Sequence, residues 1–199
     1  MIYKVSTIVE GHGEVEALPI LLRRVCEWKT PGIYAEFPMP IRVHRDRFLN
    51  RDEEFRRHLL LASSKSSDNG WVLILLDADN DCPVVKSTEI LQRAQEVLPH
   101  KAVSVVLANR EYEAWFIAAA ASLHGQRGFN YNSAQVVDAE VPRNAKGWLA
   151  ERMGGKGYGE VIDQPAFTAK MNLHQAFEGS RSFRKLCKEW LTQTERHNV

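Results

Sequence analysis

Apolar residues along this chain recur in two alternating rhythms. Residues Ile2 to Val9 mix β-branched and apolar types and run into Glu10-Gly-His-Gly13, the pattern of a strand followed by a tight turn. After Glu14 the spacing changes: Val15, Leu18, Leu21, Leu22 and Val25 predict an amphipathic helix that ends before Thr30-Pro-Gly32. A short strand is expected near Ile41 to Val43 and a helix from about Asp52 to Ala62, closed by the polar run Ser63 to Gly70. The unbroken apolar run from Trp71 to Leu76 predicts a buried strand, which delivers Asp77-Ala-Asp79. Pro83 suits the start of a helix reaching Leu98, and Pro99-His100 breaks it. Ala102 to Leu107 reads as another strand and Tyr112 to Leu123 as another helix.

Strand and helix thus alternate four times, which predicts an α/β fold with a mostly parallel central sheet of about four strands and helices on both faces. Residues 1–125 are expected to form this sheet domain. Residues 126–199 are expected to form a helical C-terminal extension packed on it. In the extension, Gly125 to Asn132 looks like an exposed loop, and Asn144 to Arg152, Thr168 to Phe177 and Ser180 to Glu195 look like helices. Between them lies Gly154-Gly-Lys-Gly-Tyr-Gly159, most simply a surface loop, although its backbone could approach a polyanion.

Composition narrows the class only slightly. At 199 residues with 44% hydrophobic and 26% charged positions, the chain suits one medium domain with a real core. A formal net charge of +1 does not point to a nucleic-acid partner, but its distribution is uneven. Arg42, Arg45, Arg47, Arg51, Arg56 and Arg57 cluster with His44, a group that could track phosphates or simply form a solvated face. The three cysteines are far apart and form no CxxC pair, which fits a reducing compartment better than a disulfide or zinc scaffold. No signal-peptide or membrane-spanning pattern is evident, so a cytoplasmic location is expected.

The chemistry gathers at one edge. Ligands of parallel α/β sheets bind beyond the carboxyl ends of the strands. Glu10 follows the first strand, Asp77 and Asp79 the third, and Glu111 and Glu113 the fourth. Because side chains alternate along a strand, Asp77 and Asp79 are expected to point the same way. Two like charges aimed at one point call for a divalent hard cation such as Mg2+ or Mn2+. Glu10, Asp77, Asp79 and Glu113 are the candidate ligands, with Glu113 preferred to Glu111. Lys146 and Lys156 are candidates to stabilise charge on a phosphate, and Lys146 joins the four acids as a candidate catalytic residue. Each acid also has a plain structural reading: Glu10, Glu14, Glu111 and Glu113 could favour helix starts, and Asp77, Asp79 and Asp81 could form turns. His12 neighbours Glu10 and could reach the site. The other six histidines, His197 among them, show no ligand spacing and read as structural or surface residues.

A glutamate after the first strand and Asp-x-Asp after a later one resembles the Toprim fold of topoisomerases, DnaG-type primases, RecR-type proteins and OLD-family nucleases. Val9-Glu-Gly11, Asp77-Ala-Asp79 with Asp81-Cys-Pro83, Glu111-Tyr-Glu-Ala-Trp-Phe116, Lys146-Gly-Trp-Leu149, Tyr158, Asp163-Gln164 and Arg181-Ser-Phe183 together resemble a second group. That group is domain-of-unknown-function family 4276 (DUF4276), a Toprim-like family of bacterial proteins that includes the nuclease effector of PARIS-type phage-defence systems. The resemblance implies a Mg2+- or Mn2+-dependent nuclease acting on DNA or a structured RNA, working with an ATPase partner. A second copy of the chain is a further candidate partner, and no membrane is expected. The alternatives are a phosphatase of another class, such as the haloacid dehalogenase type, and a non-enzymatic module that binds metal or a partner through its acidic edge.

Overall fold

The computed structural model describes residues 2–135 and 137–196. The reading of His197 as a surface residue lies outside this range. The elements are strand β1 (Ile2–Lys4), β2 (Ser6–Val9), helix α1 (His12–Lys29), β3 (Tyr34–Glu36), β4 (Ile41–Arg42), α2 (Arg45–Asn50), α3 (Asp52–Lys65) and β5 (Val72–Asp77). They continue with α4 (Pro83–Val97), β6 (Val103–Ala108), α5 (Ala114–Ala118), α6 (Ala145–Ala150), α7 (Glu160–Lys170), α8 (Leu173–Gly179) and α9 (Arg181–Arg196).

The central sheet has four parallel strands in the order β4-β2-β5-β6, flanked by helices as expected of an α/β fold. The N-terminal strand differs from expectation by breaking into two. β1 pairs in parallel with β3, while β2 enters the central sheet. The partner changes at Val5, whose N–H donates to Glu36, and Ser6, whose N–H donates to Trp71. A continuous run of strand-forming residues therefore serves two ladders, because the chain passes from one neighbour to another.

Alternation along β5 sorts the core into two layers. Leu73 and Leu75 face the layer built by α1, α7 and α9, with Leu18, Leu21, Phe167, Phe183 and Trp190. Val72, Ile74 and Leu76 face the opposite layer, with Phe55 and Leu59 of α3 and Ile90 and Ala94 of α4. All six residues Trp71 to Leu76 are at most 2% exposed, which explains why the run carries no polar position.

The C-terminal helices cover the first layer. α7 runs along α1, and α9 packs on both β6 and α1. Gly13 makes the α1–α7 contact possible: a β-carbon there would collide with the Gln164 side chain and come within 2.6 Å of the Glu160 carbonyl oxygen. Arg24 on α1 donates to the carbonyls of Thr168 and Met171 at 2.6 and 2.8 Å, closing the otherwise open end of α7. The sequence pattern misplaced this helix, which was expected over Thr168 to Phe177, well after the glycine-rich stretch ending at Gly159. The structure starts α7 at Glu160 and carries it through Pro165, while Asn172 caps a separate α8. α2 was likewise not anticipated. Among the described residues, no helix is long and apolar enough to cross a membrane.

Candidate functional site

The chain leaves β2 through α1 to reach β4 on one side, then returns through α2 and α3 to β5 on the other. The crossover direction therefore reverses between β2 and β5, the place where open parallel sheets leave a crevice for ligands. Glu10 follows β2 and Asp77 closes β5, on neighbouring strands paired through Ile8 and Ile74.

Asp77 shares the parity of Leu73 and Leu75 and so faces the α1 layer. Its Oδ1 accepts a hydrogen bond from the Tyr112 N–H at 2.8 Å. Burial, followed by the carboxylates of Glu14 and Glu113, pushes its pKa far above the usual range, with Lys146 opposing. Glu113 is 0% exposed, and its Oε1 accepts from the Tyr158 hydroxyl at 3.0 Å and the Gln164 amide at 3.4 Å. Burial pushes the pKa of Glu113 up to about 7 despite Lys146 and Tyr158. Glu14, 3% exposed, reaches back so that its Oε2 accepts from the N–H groups of Gly11 and Glu10 at 3.0 and 3.1 Å. Burial raises it to about 7 as well, against those hydrogen bonds.

Asp79 behaves otherwise. Strand alternation would have sent it after Asp77, but β5 ends at Asp77 and Asp79 takes a left-handed backbone conformation with φ of 50°. Pairing with the neighbouring segment nevertheless continues. Ala78 donates to Ala108, Asp79 donates to Arg110, itself at φ 68°, and Arg110 Nη1 returns a bond to the Asp79 carbonyl at 2.9 Å. Asp79 thereby turns outward, its side chain 55% exposed and 3.7 Å from Arg45. The expectation that Asp77 and Asp79 point together by strand alternation is corrected by this turn.

Glu10 stands between the two groups. Burial raises its pKa, and Asp79 raises it further, while Arg45 and Lys146 lower it. The site thus has an inner half, with Asp77, Glu14 and Glu113 around Lys146, and an outer half, with Asp79 and Asp81 around Arg45. Burial works to deprotonate Lys146, but Glu113, Asp77, Glu160 and Glu111 outweigh it and raise the pKa. Its Nζ lies 3.5 Å from Glu160, and its backbone N–H donates to Glu111 at 3.0 Å. Glu111 therefore holds the start of α6, while Glu113 occupies the interior.

Other candidates lie apart. Lys156 lines a separate cavity of about 410 Å³ with Arg127 and Tyr158, and His12 is exposed. Arg42, His44, Arg47, Arg51, Arg56 and Arg57 are exposed, with Arg57 tied to Glu54. Arg42 pairs in register with Val9, so this basic stretch begins at the strand end next to Glu10. From sequence Glu14 was read only as a helix-start acid, and Tyr158, Glu160 and Gln164 were assigned no role. The spacing of Glu14 three residues after Gly11 was the available signal, since it is that of a capping glutamate.

Carboxylate oxygens are the donors a hard divalent cation takes, and Glu10 Oε2 and Glu113 Oε2 are buried without a hydrogen-bond partner. In that respect the residues fit such an ion. They are not drawn together around one point, however: among the described residues no three His, Cys, Asp or Glu side chains are close enough to hold a metal.

No curated protein and no solved structure matches the chain significantly. One family model does, described as a domain of unknown function and matching residues 9–190. That span takes in Glu10, both halves of the acidic site and the helices that cover it. The chain belongs to the DUF4276 family.

Proposed function

We propose that this chain is a metal-dependent nuclease that hydrolyses phosphodiester bonds of DNA or RNA. The observation that carries this reading is the surplus of buried carboxyl groups at the crossover reversal. There Asp77, Glu14 and Glu113 are held against one lysine, and two carboxylate oxygens lack partners. Glu10, Asp77, Asp79 and Glu113 would hold Mg2+ or Mn2+, which when bound orients a phosphate and lowers the pKa of an attacking water. Tyr158 and Gln164 orient Glu113, and the Tyr112 N–H orients Asp77. Lys146, kept protonated by its carboxylates, offsets charge that builds on the phosphate. Arg42, Arg47 and Arg51 would hold the nucleic-acid backbone beside β4.

The likeness to Toprim and OLD-type nucleases supports the same reading. It extends it to a cytoplasmic protein of phage defence, with an ATPase partner and a second copy of the chain as candidate assemblies. The test is a metal-dependence screen on plasmid DNA, single-stranded DNA and tRNA. Asp77→Asn and Glu10→Gln should abolish divalent-dependent cleavage, and undiminished cleavage by either purified variant would refute the site assignment.

The outward turn of Asp79 toward Arg45, away from Asp77, favours one other reading, a non-enzymatic acidic module that binds a partner protein. Failure to cleave any of the three substrates in Mg2+ or Mn2+, with or without a co-purified ATPase, would select it.

A further inference from the structure

Arg45 opens α2 and is only 14% exposed in its side chain, unlike the arginines around it. Its guanidinium is anchored at two corners. Nε donates to the Asp77 carbonyl at 3.2 Å, and Nη2 donates to Asp81 Oδ2 at 2.5 Å. The third corner is looser: Nη1 lies 3.7 Å from Asp79 Oδ2 and 4.0 Å from Asp46 Oδ1. Those separations exceed a hydrogen bond, so Nη1 neutralises Asp79 without fixing it. The left-handed turn at Asp79 is what carries the carboxylate to this cation.

A guanidinium and a divalent cation cannot both sit on the same carboxylate without strong repulsion at a few ångströms. Because Nε and Nη2 are held independently of Asp79, Nη1 can give up that carboxylate while Arg45 stays in place. We propose that Arg45 is the resident counter-ion of Asp79, which a divalent cation must displace, so that Arg45 sets the metal affinity of the outer half of the site. The proposal rests on the metal-site reading above and adds a residue outside the carboxylate set.

The test is Mn2+ binding to the purified full chain, followed by electron paramagnetic resonance or calorimetry, with thermal melting alongside. Arg45→Gln should bind Mn2+ about tenfold tighter than wild type, a difference of about 1.4 kcal/mol. It should also melt lower in chelator and recover in Mn2+. Arg45→Lys keeps the charge and should remain within about threefold of wild type, against the roughly tenfold change of a lost counter-ion. Asp81→Asn frees the firmest anchor and leaves Arg45 to Asp79, so it should weaken Mn2+ binding, and that weakening should vanish in the Arg45→Gln background. The Asp81 variants keep the test open if Arg45→Gln does not fold. Equal Mn2+ affinity across wild type, Arg45→Gln and Asp81→Asn overturns the counter-ion role while leaving the metal site standing. No binding in any of them overturns the metal site, and the counter-ion role with it.

Discussion

Replacing Gly13 by alanine separates local propensity from tertiary packing. Gly13 lies in the first turn of α1, and alanine there should stabilise the helix by up to about 1 kcal/mol on propensity alone. The structure predicts the opposite sign. The added methyl would overlap the buried Gln164 side chain and sit 2.6 Å from the Glu160 carbonyl and 2.9 Å from its Cγ. A side-chain end can rotate away, but a helix carbonyl cannot, so the first turn of α7 must move. Overpacking costs about 1–3 kcal/mol, and a clash with backbone falls in the upper part of that range, about 2–3 kcal/mol, leaving a net loss of about 1–2 kcal/mol after a propensity gain of about 1 kcal/mol. For a chain of this size that lowers the melting temperature by roughly 2–8 °C. The assay is thermal unfolding of Gly13→Ala beside wild type in chelator. Gln164→Ala in the same background should recover part of the loss but not all, since the Glu160 carbonyl remains. A melting temperature equal to or above wild type would refute the close α1–α7 contact, and with it the route by which Gln164 reaches Glu113.

The remaining expectations concern charge. Asp77→Asn removes one of the mutually repelling buried carboxylates and should stabilise the metal-free protein by about 1–2 kcal/mol, even as it abolishes the proposed cleavage; a lower melting temperature in chelator would contradict the repulsion. Glu14 and Glu113, both pushed up to about 7 from 4.5, keep protons in the folded state that the unfolded chain has lost. Their contribution is therefore most favourable below about pH 4.5 and is lost as pH rises through about 7. In chelator the melting temperature should be higher at about pH 5.5 than at about pH 8, and saturating Mn2+ should reverse that order. Glu140 works in the other sense. Burial opposes its ionisation, but hydrogen bonds from the Ser182 backbone, Asn109, Ser180 and the Ser182 hydroxyl hold its pKa below the usual value. Its stabilisation is present above about pH 4.5 and lost as pH falls through the lowered pKa, and Glu140→Ala should cost about 2–3 kcal/mol by chemical denaturation.

What the sequence disclosed tracks what is decided locally. β5 was legible because a strand buried on both faces must be apolar throughout, and Asp77 at its end was legible with it. Pro83 marked the start of α4 for the same local reason. The break at Val5 was not legible, because it depends on which strands arrive beside it. α2 was hidden by its arginines, whose burial pattern only Phe48 and Leu49 reveal. In the site, Glu10, Asp77 and Glu113 could be named from their place at strand ends. The outward turn of Asp79 could not, since it is set by the Arg110 carbonyl and Arg45. Glu14 looked like an ordinary helix-start acid because its spacing serves that purpose too, and only the tertiary fold puts it beside Asp77.

The partners of Glu113 have a consequence for the order of synthesis. Glu10, Asp77 and Glu113 all precede residue 114, yet the side chains that hold Glu113 are Tyr158 and Gln164, and the helix that seals the layer is α7. A ribosome-bound chain released as far as α5 already carries every proposed ligand, with Glu113 still unrestrained. Restraint of Glu113 therefore waits for Tyr158 and Gln164 to follow, so the proposed ligands emerge well before the side chains that order them. Stalled chains ending before Tyr158 should accordingly bind Mn2+ far more weakly than chains released through α7.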